Sequence, residues 1–536
     1  MDPESSRVFS PDSTLQTAIS ALHLSPISNL PPYILNLIFL TNTVEKLNYP
    51  SRLTTAIQTS QVCHAWRETA LDSPLLWGRL IDFDHRSLKL EWWRTELIRR
   101  SGNAPLWVQG HVRTHEDSEY FSYVLNNHWE RIQVLDIEAQ NDFLPPSLTE
   151  AQLWAVLHHP APILQTFKVG WTLSANPSEA LFADQAPQLE VIMAPGIPFN
   201  LRAPWISHIQ DIDIGADFTL SELLGALDYM RNVKFLSFDC PYELDPFHNI
   251  LPIVFPFLEM LQINGSLTSG LSILQSIIPG SPSCSFILFP NPREPDLDDD
   301  FVSTMLEAIC EQILKFMQFL PLTSRLFLQV GHDPQYPSTF QLSLHDAKSQ
   351  EYLNIDLWDY PTISRHLLSR LASSNPSLLS NVKVMRLRLA KNVSATQILP
   401  VLDLFLASLP SITTLETSDS DNVLAFLHDS EASRPLPGLH TLSFYELLRL
   451  RNWTEREERL NEWRQQYPSG VLLPFLQQRK AIGLPITVVD ITYELLNLER
   501  SDMELFEQVS GLVVRYRDPT DKKIVDYKCG SGQIPF

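Results

Sequence analysis

The sequence predicts an α/β chain in which a small N-terminal three-helix module precedes a long, irregular stack of strand-and-return units. Three observations carry this expectation. One short pattern recurs along most of the chain: apolar, two residues, apolar, one residue, apolar. Some intervening stretches show helical periodicity and are long enough to lead from one strand to the next. Residues 30–77 hold a dense apolar run with prolines placed where a helix would begin.

The module comes first. Pro31 and Pro32 suit a first helical turn, where an N–H would lack a partner anyway. A short helix then runs to about residue 40. Ile34, Leu37 and Ile38 share one stripe, and Leu30, Leu35 and Phe39 widen it. That is more apolar surface than the next helices can cover, so one side is left over. A second helix is expected over 53–62 and a third over 63–71. Leu53, Ile57 and Val62 face inward, with Trp66 and Trp77 as large anchors. Some fifty residues make a marginal core, which a partner would complete.

These residues resemble the F-box. The family pattern is carried by Leu30-Pro31, Ile34-Leu35, Ile38-Phe39, Val62-Cys63-His64-Ala65-Trp66 and Leu76-Trp77. Tyr33 stands where the family commonly has an acidic residue, and 41–52 is a longer connection than in compact examples. The continuation through Trp92-Trp93 and Leu106-Trp107 looks like F-box proteins of mushroom-forming (basidiomycete) fungi. The resemblance implies docking on the adaptor of an SCF-type ubiquitin ligase, and through it on a cullin and a RING subunit. The implied adaptor-binding set is Leu30, Pro31, Ile34, Leu35, Ile38, Val62, Trp66 and Trp77, with Ile34→Asp or Leu35→Asp expected to abolish capture. The other reading of these residues is a helical hairpin that caps the next domain.

The rest of the chain divides by composition. Residues 1–27 read as a mobile tail and 28–80 as the module. Residues 81–130 form a helical linker whose helix, 86–100, uses Trp92 and Trp93 as packing that orients the module. From 131 to 517 the short pattern repeats. It appears as Ile132/Leu135/Ile137, Leu164/Phe167/Val169, Leu189/Ile192/Ala194, Ile209/Ile212/Ile214, Val233/Leu236/Phe238 and Leu258/Leu261/Ile263. It returns as Val382/Met385/Leu387, Ile412/Leu415/Thr417, Leu439/Leu442/Phe444 and Ile486/Val489/Ile491. Early intervals are 32, 25, 20, 24 and 25 residues, the spacing of leucine-rich repeats. The expected architecture is therefore a leucine-rich-repeat-like α/β solenoid with insertions.

Between the two runs, 286–289, 326–330, 340–344 and 352–357 read as strands, the last three as a meander. Helices are expected over 301–320, after the capping box Thr454-Glu455-Arg456-Glu457, over 471–480 and over 503–509. Residues 512–516 read as a last strand, and 518–536 as a polar, loose end.

Composition narrows the function classes. Lys plus Arg is 40 and Asp plus Glu is 62, a net charge of −22, which argues against nucleic acid and anionic membrane as partners. Five scattered cysteines without a C-x-x-C pair fit a reducing compartment, cytoplasmic or nuclear. The start lacks a secretory signal and no apolar run is long enough to span a membrane, so the sequons at Asn264, Asn392 and Asn452 are expected to stay unused.

No nucleophile elbow, phosphate loop, dinucleotide fingerprint or H-E-x-x-H motif is present. His158-His159 reads as a helix end and Asp296–Asp300 as helix-start charge, so neither metal nor cofactor is expected. An unidentified protein target is the remaining partner. Residues between the apolar positions would face solvent, which places Asp136, Glu138, Asp211, Asp213 and Asp239 on one surface with Met193, Phe235 and Met260 among them. That surface reads as a site for a basic segment with apolar anchors, or as a solvated acidic face.

Three readings of function stand. The chain is a substrate receptor of an SCF ligase and not itself an enzyme; or it is a non-degradative F-box interaction scaffold; or its strand region hides an unrecognised catalytic pocket.

Overall fold

The computed structural model describes residues 30–43, 52–139, 151–152, 155–170, 180–215, 218–241, 252–280, 284–290, 304, 307–312, 314–315, 324–331, 340–345, 351–357, 361–374, 379–389, 398–417, 420–430, 435–444, 471–492, 500–518 and 523–532. The expected N-terminal tail, the Thr454 capping box, Asp296–Asp300 and the sequons at Asn392 and Asn452 lie outside them, as do 301–303 and 316–320 of the helix expected over 301–320. The fold is mixed α/β with parallel and mixed sheets, and the chain forms two compact units, Met1–Trp205 and Ile206–Phe536.

The first unit opens with helices. Pro31 caps α1 (Pro32–Asn42), whose first residue is Pro32 as expected. Then come α2 (Arg52–Ser60), α3 (His64–Leu71) and a short fourth helix, α4 (Pro74–Gly78), where three had been expected. Ser73 makes the fourth: its hydroxyl accepts the Leu76 N–H and donates to Asn36 on α1 at 2.6 Å. The expected inward Val62 is a correction. Helix α2 stops at Ser60, so Val62 falls on the connection to α3 and is 60% exposed.

Five parallel strands follow in chain order: β1 (Ile81–Asp82), β2 (Leu106–Val112), β3 (Ile132–Ala139), β4 (Thr166–Val169) and β5 (Val191–Met193). The expected helical linker therefore contributes two strands. Leu106, Val108 and Val112 fill the core with a short alternation that the neighbouring Trp107 and Gly110 obscure in sequence. The helix expected over 86–100 is interrupted. A 3-10 turn, Arg86–Lys89, is followed by extended Leu90 and then α5 (Glu91–Ser101). Arg94 takes the Leu88 carbonyl with its guanidinium and, with Lys89, pairs with the buried Asp117 on α6 (His115–His128).

Trp92 is also a correction. It is 58% exposed and rests on Trp93, so it does not anchor the module. Other residues do. Arg100 lies over Trp77 and Arg79 over Trp107. Thr54 bonds His85 at 3.0 Å, and a Cβ on Gly78 would overlap the Pro105 carbonyl. Later returns in this unit include two 3-10 turns, Ala155–His158 and Leu181–Asp184.

In the second unit, β6 (Asp211–Ile214), β7 (Phe235–Cys240), β9 (Met260–Gly265) and β11 (Ser285–Pro290) are parallel neighbours, and β8 (Ile253–Phe255) and β10 (Ile277–Pro279) form a separate parallel pair. Helix α7 (Leu220–Ala226) starts at a capping box formed by Thr219 and Glu222, and α8 (Leu267–Ser276) follows β9.

The larger sheet of this unit begins with the expected meander: β12 (Arg325–Val330), β13 (Phe340–His345) and β14 (Glu351–Leu357) are antiparallel. Helix α9 (Pro361–Ser374) returns the chain to β15 (Val384–Leu389), which lies parallel to β12. Parallel β16 (Thr414–Thr417), β17 (Thr441–Phe444), β18 (Val488–Asp490) and β19 (Val513–Arg517) follow. Helices α10 (Leu399–Ala407), α11 (Ser420–Asp429), α12 (Leu473–Ala481) and α13 (Arg500–Glu507) fill the intervals. The end is not loose throughout, which corrects a third expectation. Strand β20 (Ile524–Lys528) closes a hairpin on β19 and buries Tyr527.

The recurring pattern is the core. Every side chain of the ten apolar triplets is at most 4% exposed. Their middle members fall into ladder register: Leu135 with Phe167 and Ile192, Ile212 with Leu236 and Leu261, and Met385 with Leu415, Leu442 and Val489. Strand alternation puts the second and third members on one face, and the first packs just before the strand or, for Ile132, at its first residue.

Candidate docking and recognition surfaces

On the helical module, one helix divides its apolar side chains between two faces. Leu35 and Phe39, four residues apart on α1, are 4% and 1% exposed, and Phe39 packs on Trp66 at 5.2 Å between ring centres. Trp77 is 2% exposed and donates its indole N–H to the Ala70 carbonyl at 2.8 Å. Leu35 and Trp77 therefore build the module's own interior and are not outward contacts. Tyr33 and Leu37, again four apart, are 70% and 60% exposed. Leu30, Ile34 and Ile38 are half-buried beside them, as is Trp66, and Pro31 is exposed.

The outward set thus gains Tyr33, Leu71 and Leu75, which sequence reasoning passed over. The signal for Tyr33 was available: it lies at i, i+4 from Leu37, on the side opposite Leu35 and Phe39. Seven of the fifteen exposed large apolar side chains among the described residues fall between Tyr33 and Trp92. Exposed apolar side chains are thus concentrated along this stretch of the sequence.

The expected acidic surface divides between the two units. In the first, Lys168 stands in register beside Asp136, with Met193 on its other side. Glu138 lies 2.9 Å from His111 Nε2, while His111 Nδ1 meets Asp84 at 2.8 Å and Arg113 reaches Asp84 at 3.2 Å. Lys168 therefore stands beside Asp136, and the His111 imidazole against Glu138.

In the second unit, Asp211, Phe235 and Met260 form one rank across neighbouring strands, and Asp213, Ser237 and Gln262 form the next. Asp239 follows beside Asn264, whose amide donates to it at 2.7 Å. Burial pushes the Asp213 carboxyl up from its ordinary value, and the charge of Asp239 adds to this, while the nearby Ser237 hydroxyl opposes it. Asn264 is half-buried in β9 and already bonded.

No protein-family model matches this chain. No curated protein matches it either.

The larger sheet carries a charged row that sequence reasoning missed. Phe327, Arg386, Glu416, Ser443, Asp490, Arg515 and Asp526 stand side by side on successive strands. Arg386 holds Glu416 at 2.8 and 2.9 Å, and Arg515 holds Asp526 at 2.8 and 2.9 Å. These pairs neutralise one another, so this face presents little net charge of its own. Among the described residues, no three His, Cys, Asp or Glu side chains gather to hold a metal ion, and no helix is long and apolar enough to cross a membrane. His158 closes a 3-10 turn, as a terminal histidine would.

Proposed function

We propose that this chain is the substrate-recognition subunit of an SCF-type ubiquitin ligase. Residues 28–80 act as the F-box and dock on the adaptor, and through it on the cullin and RING subunits. The strand-and-return units, read as a leucine-rich-repeat-like solenoid with insertions, present a protein target. The chain contributes position rather than a reacting group: a held target lysine meets the ubiquitin-charged enzyme at high effective concentration. It works in the cytoplasm or nucleus.

The observation that carries this reading is the split of α1 into a buried stripe, Leu35 and Phe39, and an exposed stripe, Tyr33 and Leu37. A helix that only capped its own domain would have no reason to expose the second stripe. Laid in a partner groove, Tyr33 and Leu37 act as helix-in-groove anchors, with Ile34 and Ile38 at their flank. A central apolar anchor contributes about 2 kcal/mol or more.

The test is capture of the adaptor and cullin from cells by the full chain and by Tyr33→Asp and Leu37→Asp variants. Loss of both proteins with unchanged thermal melting supports the reading, and undiminished capture contradicts it. Leu35→Asp is unsuitable, because it places a charge in the module's core.

A further inference from the structure

We propose that the outer edge of β20 takes one added strand: an extended segment of a partner protein with acidic side chains on one face and apolar side chains on the other. The proposal rests on the reading of the strand region as a target-presenting surface, and it names the chemistry of the segment held there.

Strand β20 ends the larger sheet, beside β19 and no other described strand. Two backbone bonds fix the phase of this hairpin. The Cys529 N–H donates to the Leu512 carbonyl at 2.8 Å, and the Asp518 N–H donates to the Lys523 carbonyl at 2.8 Å. Between them, Val525 and Tyr527 take the hydrogen-bonded positions opposite Tyr516 and Val514. Ile524, Asp526 and Lys528 hold the alternate positions, so their N–H and C=O groups point away from β19. Among the described residues, those groups meet no backbone partner. Unpaired donors and acceptors repeating every second residue are what an incoming strand pairs with.

The side chains select the segment. Ile524, Asp526 and Lys528 lie on one face, and Val525 and Tyr527 on the other. Arg515 binds Asp526 at 2.8 and 2.9 Å, which offsets that charge. Lys528 is exposed and forms no ion pair among the described residues. Residues 513–528 hold five lysines or arginines against three aspartates, in a chain of net charge −22. A basic strand is therefore repelled at this edge and an acidic one is favoured opposite Lys528. On the other face Val525 is half-buried and Tyr527 is buried, so apolar residues alternating with the acids would extend that layer. A second copy of β20 fits less well. Paired antiparallel over its full length, it would set Asp526 against Asp526, and the slip that brings Asp526 against Lys528 leaves only 526–528 overlapped.

The test uses the full chain and a fluorescein-labelled decapeptide of alternating glutamate and valine, read by fluorescence anisotropy, with a lysine-for-glutamate peptide as comparison. The wild type is expected to prefer the glutamate peptide about tenfold or more. Ile524→Pro removes one outward N–H while leaving the bonds to β19 in place, and should weaken that peptide about tenfold. A glutamate–valine peptide N-methylated throughout keeps its charge but has no backbone donors. It should bind as weakly, and it serves if Ile524→Pro melts early. Lys528→Glu should reduce the preference for the glutamate peptide, and Lys383→Glu, exposed ahead of β15, should not. Equal affinity for the plain and methylated peptides would overturn the proposal. Equal loss in Lys528→Glu and Lys383→Glu would also overturn it, since net charge alone would then be read. A wild-type dimer in sedimentation equilibrium that Ile524→Pro abolishes would overturn it too, by giving the edge to a second copy. Adaptor capture by wild type and Ile524→Pro is scored separately. If capture fails while the peptide result holds, the ligase reading falls and the strand site stands; if the peptide result fails while capture holds, the strand site alone falls.

Discussion

Individual side chains decide which apolar residues are structural and which are offered to a partner. Leu35→Ala should cost about 2–5 kcal/mol of unfolding free energy, because it opens a cavity against buried neighbours. Leu37→Ala, two positions away and 60% exposed, should stay within about 0.5 kcal/mol. Urea unfolding of the two variants checks the pair, and similar losses would mean that α1 has only one kind of face. Gly78 is a second decisive position. A Cβ there would overlap the Pro105 carbonyl, where α4 meets the start of β2. Gly78→Ala should therefore destabilise the first unit by about 1–3 kcal/mol. Arg479 is a third: it is 4% exposed and donates to the carbonyls of Pro435, Leu436, Leu439 and Leu484. Its partners are carbonyls and not a carboxylate, so it acts as a clamp. Arg479→Met should cost about 1–3 kcal/mol by orphaning them, read as a lower melting temperature.

At the scale of elements, the join between the helices and the sheet of the first unit responds to pH. His85 Nδ1 accepts the Ser87 N–H at 3.1 Å, so the ring proton lies on Nε2 and is shared with Thr54 of α2. Burial lowers the His85 pKa from 6.5, while Asp82 pulls the other way. The unfolded chain then binds the proton more readily than the folded one. Stability is full above the unfolded value and is lost as pH falls below 6.5 toward the lower folded value. Urea midpoints should drop from neutral to mildly acidic pH, and His85→Gln should remove part of that slope. A slope unchanged in the variant would dismiss the role given to His85. Elements also show where sequence reading stops. The apolar triplets were legible because each puts two side chains on one strand face and one just before the strand or at its first residue, a local signal. Strand β1 was not, since two residues carry no periodicity. The break at Leu90 was not, since it depends on Arg94 reaching back to Leu88 and across to Asp117.

For the whole molecule, one arrangement serves two purposes: alternation buries a continuous core in each unit and leaves the opposite strand faces free to carry polar groups. Much of that core was legible in the chain, but the candidate surfaces were less so. The exposure of Leu37 was readable because it lies in the surplus of an over-apolar helix. Burial of Leu35 was not, because it depends on α3 and α4 packing against α1. The charged row on the larger sheet joins partners about thirty residues apart, such as Arg386 and Glu416, and becomes visible only once register is known. The claim that ties these scales together is that the exposed stripe of the helical module is a docking surface for the ligase adaptor. Hydrogen exchange of the full chain with and without purified adaptor tests it most directly. The account predicts new protection over α1 and residues 61–76, with exchange in β12–β20 unchanged. Unaltered exchange across α1 at saturating adaptor would contradict it.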